Sequence, residues 1–396
     1  MYGRRWRSPT NLRSPEQEYF ADGMVEDIIT ALSRFRSLFV IARNSSFTYK
    51  GRAVDVKQVG RELGVRYVLE GSVRKAANHV RITAQLVDAA TGSHLWADHF
   101  DGALEDIFDL QDRVTASVVG AIAPKLEQAE IERARRKLTE SLDAYDYYLR
   151  GTASFHKATM EANDAALRLF YRAIELDPDF ASAHGMAAWC YAWRKMNGWE
   201  TDRVRANTES ARLARRAAAL GTDDAVALCA GGFALGYITG DLDDGGAMTD
   251  QALVLNPNLA TAWFLSGYLK ALLGEHEMAM EHLKRAMRLS PLDPEVFVAH
   301  LGLAAAHLFA GRYDEASSWA EKASRDRPDA AAAARVAAAS HALAGRLEQA
   351  QKAMARLRQI DPALRISNLR DVLTVRPSEV LARYVEGLRK AGLPEE

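Results

Sequence analysis

Ten histidines and two cysteines are the side chains with which this chain could do metal or nucleophilic chemistry. His94, Asp98 and His99 form its compact cluster of ligand types. Two imidazoles and a carboxylate would suit zinc. They sit in a segment that reads as a strand, where His94 and Asp98 take one side and His99 the other, so they cannot converge on one ion. His300 and His307 are seven residues apart, two turns along one stripe of a helix. No third ligand accompanies them, and they read as a packed or groove-facing pair. Cys190 and Cys229 form no CxxC pair and lie in apolar helical surroundings. They read as small core residues, and two reduced thiols suit a cytoplasmic protein. The run GSVRK (71–75) with Arg81 makes a basic patch that could hold a phosphate or nucleotide, although its alternation also fits solvent-side strand residues. Phosphate-loop, dinucleotide, zincin and nucleophile-elbow motifs are absent. The expectation is no catalytic residue, no cofactor and no metal site.

The whole-chain numbers set the class. The chain has 396 residues, enough for two or three domains, and 48% are hydrophobic, enough to build a core. Net charge is −1, which gives no long-range attraction to nucleic acid or anionic lipid. Arg4, Arg5, Arg7 and Arg13 cluster in residues 1–18, which read as a basic, disordered stretch without an accompanying fold. No apolar run is long enough to span a bilayer, and the start has no signal-peptide h-region.

Residues 19–138 mix helix and strand. Met24, Ile28, Leu32 and Phe35 are spaced as one helix face, with Asp22 as its N-cap. LFVIA (38–42) reads as a short buried strand, and Val56, Val59 and Leu63 as a helix face closed by Gly64. Residues 66–75, 79–89 and 93–101 read as three strands of a meander. In the second, Val80, Ile82, Ala84 and Leu86 alternate with polar residues. A long helix follows from Leu104 to about Leu138, interrupted at Pro124.

From residue 142 to 365 the strands disappear and a period emerges. Prolines recur 34 residues apart from Pro257 to Pro291, from Pro294 to Pro328 and from Pro328 to Pro362; Gly240–Gly274 and Gly311–Gly345 share the spacing. A 34-residue period with this internal order is the tetratricopeptide signature. Trp263, Gly267, Ala279, Ala286 and Pro291 take its signature sites in one unit. Ala316, Ala323 and Pro328 take them in the next, and Ala350 and Pro362 in the one after. Small residues let two antiparallel helices cross closely, and proline ends each second helix. About six units result, looser before Pro257, with residues 366–396 as capping helices. The fold class is therefore mainly α, a small N-terminal α/β domain with a mixed sheet followed by a tetratricopeptide α-solenoid.

The run EYFADGMVEDIITALSRF and the meander up to SHLWADHFD resemble the TolB-amino-terminal-like module of bacterial signalling proteins, and AYDYYLRG (144–151) resembles its junction into repeats. The resemblance implies an interaction module. In that family it precedes tetratricopeptide repeats and often follows a class III adenylate/guanylate cyclase or a winged-helix domain. Two departures matter. The apolar opening strand is replaced by RRWRSPTNL, which leaves a sheet edge unpaired and is what a truncated longer protein would show. No cyclase domain is present. The function expected is thus non-catalytic binding of a protein or peptide partner, with no nucleic acid. The alternatives are the regulatory portion of an adenylate cyclase and the remnant of a winged-helix regulator.

In such arrays the first helix of each pair lines the concave face. By the repeat alignment the groove-facing residues are Thr261, Phe264, Tyr268, Val298, Leu301, Ala305, Leu308, Phe309 and Arg335. The lysines and asparagines of a carboxylate clamp are missing. An apolar or helical partner segment is expected to lie there.

Overall fold

Alternation in the meander builds the first unit, Met1–Ala129. β2 (Tyr67–Ala76), β3 (His79–Asp88) and β4 (His94–Ala103) pair antiparallel in sequence order. Val80, Ile82, Ala84 and Leu86 of β3 are buried with Met24, Ile28 and Leu32 of helix α1 (Pro15–Ser33) and Leu110, Val114, Val118 and Ile122 of α3 (Ile107–Arg136). The opposite face is polar along the strands, where Ser72 meets Thr83 at 2.6 Å and Gln85 donates to Glu70 at 2.8 Å. At one end of the sheet Val68 and Ala89 pack with Val59 of α2 (Val56–Leu63). That helix is capped by Asp55 and ends at Gly64, whose φ is 65°. The computed structural model describes residues 2–4, 15–35, 38–41, 45–46, 48–49, 54–76, 79–103, 107–136, 142–199, 202–290, 296–374, 376 and 378–396.

Four expectations change in this unit. Residues 1–18, expected as disordered, contribute a strand, β1 (Tyr2–Arg4), parallel to β2, and the first turn of α1. The sheet edge expected to be bare therefore carries β1. Three residues suffice there because the free edge of β2 supplies the hydrogen-bonding partners, and no long apolar run is needed. Asp22 lies inside α1 rather than at its start, since the helix opens on Pro15, a residue suited to the first helical position. Residues 38–41 form no strand. Leu38 and Val40 pack against the core from a loop while Phe39 is 82% exposed. Arg5, Arg7, Arg13 and Ala42 lie outside the described residues.

The second unit, Glu130–Glu396, is a tetratricopeptide-type solenoid of helix pairs. The pairs are α4 (Ala144–Phe155) with α5 (Met160–Leu176), α6 (Ala181–Asn197) with α7 (Arg203–Leu220), and α8 (Ala225–Thr239) with α9 (Leu242–Leu255). They continue as α10 (Ala260–Leu273) with α11 (His276–Leu289), α12 (Val296–Phe309) with α13 (Tyr313–Asp326), and α14 (Ala331–Leu343) with α15 (Leu347–Ile360). A single helix, α16 (Ser378–Ala391), and a short 3-10 turn at Leu369–Asp371 stand in place of the expected pair of capping helices.

The repeat residues act as their types predict. Gly274 ends α10 in the left-handed region at φ 93°, which a side chain would resist. A Cβ on Gly267 would stand 2.7 Å from Leu283 Cγ and 3.1 Å from the Ala279 carbonyl, so only glycine allows α10 and α11 this close. Ala279, Ala286, Ala316, Ala323 and Ala350 are fully buried. Trp263 donates to the Pro257 carbonyl at 2.9 Å, and its ring lies under the Arg285 guanidinium. The Pro328 carbonyl accepts two bonds from Arg356, at 3.0 and 2.7 Å. The Pro362 carbonyl accepts from Arg365 at 2.8 Å, while Pro291 and Pro294 lie outside the described residues.

Candidate functional site: the inner face of the helical array

The first helices of the pairs should form the inner, concave face. Second helices such as α11 bury one stripe, Ala279, Met280, Leu283, Ala286 and Leu289. Among the first helices, α12 and α14 have no exposed side. Every residue from Ala331 to Ala342 of α14 is buried, as is every residue from Phe297 to Phe309 of α12. A helix apolar all round must be covered all round.

The nine residues assigned to the groove accordingly do not line an open surface. Phe264, 1% exposed, packs with Leu283 of α11 and Ala299 and Leu303 of α12. Tyr268 meets Phe233 edge-on at 5.8 Å and Tyr237 at 6.3 Å. Val298, Leu301, Ala305, Leu308 and Phe309 all belong to the main core, and Arg335 is 2% exposed. Thr261 alone is half-buried. The cause lies in side-chain size. Helices α8 (AVALCAGGFALGYIT) and α14 (AAAARVAAASHAL) are built from small residues, so neighbours approach closely and the array coils tightly. Its early and late pairs then touch across the inside. Trp193 of α6 meets Phe297 of α12 edge-on at 5.5 Å, and Arg327 donates to the Ala158 carbonyl at 2.8 Å.

The remaining cover comes from the chain's own C-terminal segment, whose described residues 364–374, 376 and 378–393 run along the C-terminal ends of the first helices. The Tyr237 hydroxyl of α8 donates to the Val372 carbonyl at 2.7 Å, and Thr374 Oγ1 donates back to the Tyr237 carbonyl at 2.8 Å. The Arg376 amide donates to the Leu272 carbonyl of α10 at 3.2 Å, and Arg383 to the Phe309 carbonyl of α12 at 3.3 Å. The Tyr237, Leu272 and Phe309 carbonyls lie at helix C-termini, which lack intrahelical donors and carry partial negative charge. Arg376 also forks onto Asp243 at 2.8 and 2.7 Å, and Arg203 pairs with Asp371. Then α16 lays Val380, Tyr384, Leu388 and Ala391 inward, one residue per turn; Tyr384 meets Phe309 at 6.2 Å. The sequence does carry a signal for this filled face: helices α12 and α14 lack the polar stripe that a water-filled groove requires.

The other chemistry-bearing residues lie apart. His94, Asp98 and His99 are exposed on β4, with His99 Nδ1 3.9 Å from Asp98. Arg81 of the basic patch is occupied by Asp101, at 2.7 Å. Cys190 and Cys229 are both buried, and burial pushes the Cys190 thiol far above its ordinary value. His300 lies against Asp326 of α13, whereas His307 leaves its Nδ1 without a partner. Both have lowered proton affinity, caused chiefly by burial. Among the described residues no three His, Cys, Asp or Glu side chains gather as a metal site, and no helix is long and apolar enough to cross a membrane.

Residues 270–340 match a family model described as tetratricopeptide repeat, in agreement with this architecture. A curated protein named putative adenylate cyclase 3, from Rhizobium meliloti (strain 1021), is 52% identical over 170 residues. The match covers 43% of this chain and 29% of that relative, so the chain accounts for a minor part of the relative's length. Among solved structures, PilW, a widely conserved type IV pilus biogenesis factor, is 18% identical with a TM-score of 0.40, over 55% of this chain and 94% of PilW. A thermophilic TPR protein of Thermus thermophilus is 20% identical with a TM-score of 0.36, over 54% of this chain and 98% of that one.

Proposed function

We propose that this chain is a non-catalytic interaction module of a bacterial signalling protein, working in the cytoplasm. Its N-terminal unit is of the TolB-amino-terminal-like kind. Its array holds an apolar helical segment of a protein partner where its own C-terminal segment lies in the structure. The observation that carries this reading is the seating of α16 and the preceding strap on the first helices. The array holds a polypeptide segment in cis by an apolar helix stripe and by donors to helix-end carbonyls, the helix-in-groove mode of recognition. The groove assigned from the sequence is thus a latent one, and a partner must displace the strap to reach Phe309 or Tyr237.

The test is a trans-binding measurement. The full chain carrying Arg376→Glu and Tyr384→Ala loses the strap's fork onto Asp243 and its aromatic anchor. A fluorescent peptide of residues 376–392 is expected to bind that variant saturably, by anisotropy, and to bind the unaltered chain at least tenfold more weakly. A folded variant that shows no saturable binding would falsify the reading. The similarity to a protein named putative adenylate cyclase supports a second reading, the regulatory portion of a cyclase whose catalytic domain is elsewhere. Cyclic AMP made from ATP by the purified chain with Mn²⁺ or Mg²⁺ would place catalysis in this chain itself and overturn both.

A further inference from the structure

Charge is sorted between two neighbouring second helices of the array. Helix α7 carries five arginines and one glutamate, whereas α9 carries three aspartates and no lysine or arginine. The chain as a whole has a net charge of −1, so the sorting is local. Both helices lie against α8, where a Cβ on Gly231 would stand 3.2 Å from Ala217 of α7 and 3.5 Å from Met248 of α9. They run the same way, since Gln251 near the end of α9 donates to the Thr222 carbonyl just past the end of α7, at 3.2 Å. Most of these charges are already paired within the chain. Arg212 meets Glu209, Arg216 meets Asp179, Asp243 meets Arg376 and Asp250 meets Lys270. Arg215 and Asp244 are exposed and have no ion pair among the described residues. Each helix also presents a valine to water, Val204 in the first turn of α7 at 80% exposed and Val254 in the last turn of α9 at 81%. The spacing puts Val204, Thr208 and Arg215 on one exposed stripe of α7, and Asp244, Gln251 and Val254 on one exposed stripe of α9. Laid antiparallel, the two stripes match to within one residue: valine on valine, Thr208 on Gln251 and Arg215 on Asp244. Laid parallel, they would set each valine against a charge.

We propose that the outer faces of α7 and α9 are a homodimer interface, in which α7 of one copy lies antiparallel on α9 of a second. The two helices are parallel neighbours within one chain, so a single two-fold axis between them makes both crossings at once. Each crossing pairs Arg215 with the partner's Asp244 and covers Val204 with the partner's Val254. A second copy is the occupant because both halves of the complementary surface are carried by this chain side by side. Two helix faces per copy make a contact at the small end of specific interfaces, so the affinity is micromolar. The interface lies on second helices and does not depend on what the first helices hold.

Sedimentation velocity of the full chain, from about 1 to about 200 µM at low ionic strength, is expected to show a monomer–dimer equilibrium within that range. Salt at about 0.5 M weakens it, because the pairs sit at an exposed rim. Arg215→Glu and Asp244→Arg alter exposed side chains and leave the fold intact. Each alone sets like charges against one another at both crossings and raises the dissociation constant roughly tenfold or more. An equimolar mixture of the two variants dimerises again, since every crossing of the mixed dimer joins opposite charges once more. That recovery in trans separates a contact between copies from any effect within one chain. A chain that stays monomeric throughout, a dimer that neither substitution weakens, or a mixture that does not recover overturns the proposal.

Discussion

Phe264→Ala is expected to destabilise the array by roughly 3–5 kcal/mol, the cost of deleting a fully buried aromatic ring and leaving a cavity between three helices. The ring is 1% exposed and packs against Leu283, Ala299 and Leu303, small and branched side chains on two different helices that cannot close over the gap. The same substitution at a groove-lining phenylalanine would remove an exposed side chain and change stability by about 0.5 kcal/mol or less. Urea unfolding followed by far-UV ellipticity separates the two, because a shift of several kcal/mol moves the midpoint far outside error.

The second large effect is acid sensitivity. His184, His300, His307 and His341 are buried in the array, and burial, the leading cause for each, lowers their proton affinity below the ordinary value of 6.5. Above that value the folded and unfolded chains both hold them neutral, and their contribution to stability is whole. As the pH falls below 6.5 the unfolded chain takes up protons that the folded chain refuses, so stability is lost towards the lower folded values. Each such histidine contributes at most about 1.4 kcal/mol per pH unit in that window. Asp326 beside His300 and Glu321 beside His341 pull the other way and make those two weaker contributors. His184 and His307 leave their Nδ1 unpartnered; the Pro178 carbonyl at His184 and Glu315 near His307 oppose the burial there. The melting temperature is expected to be flat from about pH 8 to 7 and to drop steeply from about pH 6.5 to 5. A His184→Asn/His307→Asn variant should show a shallower drop, and a melting temperature that holds constant to about pH 5.5 in the unaltered chain would refute the assignment.

The periodic part of this fold is legible in the sequence because each repeat restates local requirements. A glycine must take the left-handed position at Gly274, and none but glycine fits at Gly267. The left-handed glycine recurs at Gly240, Gly274, Gly311 and Gly345, at spacings of 34, 37 and 34, whatever the rest of the array does. The inner face cannot be read in the same way. Whether Phe309 meets water or Tyr384 depends on how tightly the pairs coil and on a segment far along the chain. Tyr237 bonds to Val372, 135 positions away, and no local pattern announces such a contact. Two clues are nevertheless present. Helices α12 and α14 have no polar stripe, and Arg335 stands alone in a run of alanines. In the N-terminal unit the strand alternation is legible in β3, whereas β1 is not, since a three-residue edge strand is specified by its neighbour rather than by its own residues.

The claim on which the rest depends is that the chain's own C-terminal segment covers the C-terminal ends of the first helices and completes the burial of the array's inner face. Hydrogen–deuterium exchange of the full chain tests it most directly. The prediction is that the Arg376 amide, bonded to the Leu272 carbonyl, and the amides of α16 exchange slowly. They should share one opening free energy with the last turns of α8, α10 and α12, and Arg376→Glu with Tyr384→Ala should accelerate them together. Exchange of residues 366–391 at the rate of an unprotected chain, with the first helices still fully protected, would contradict it.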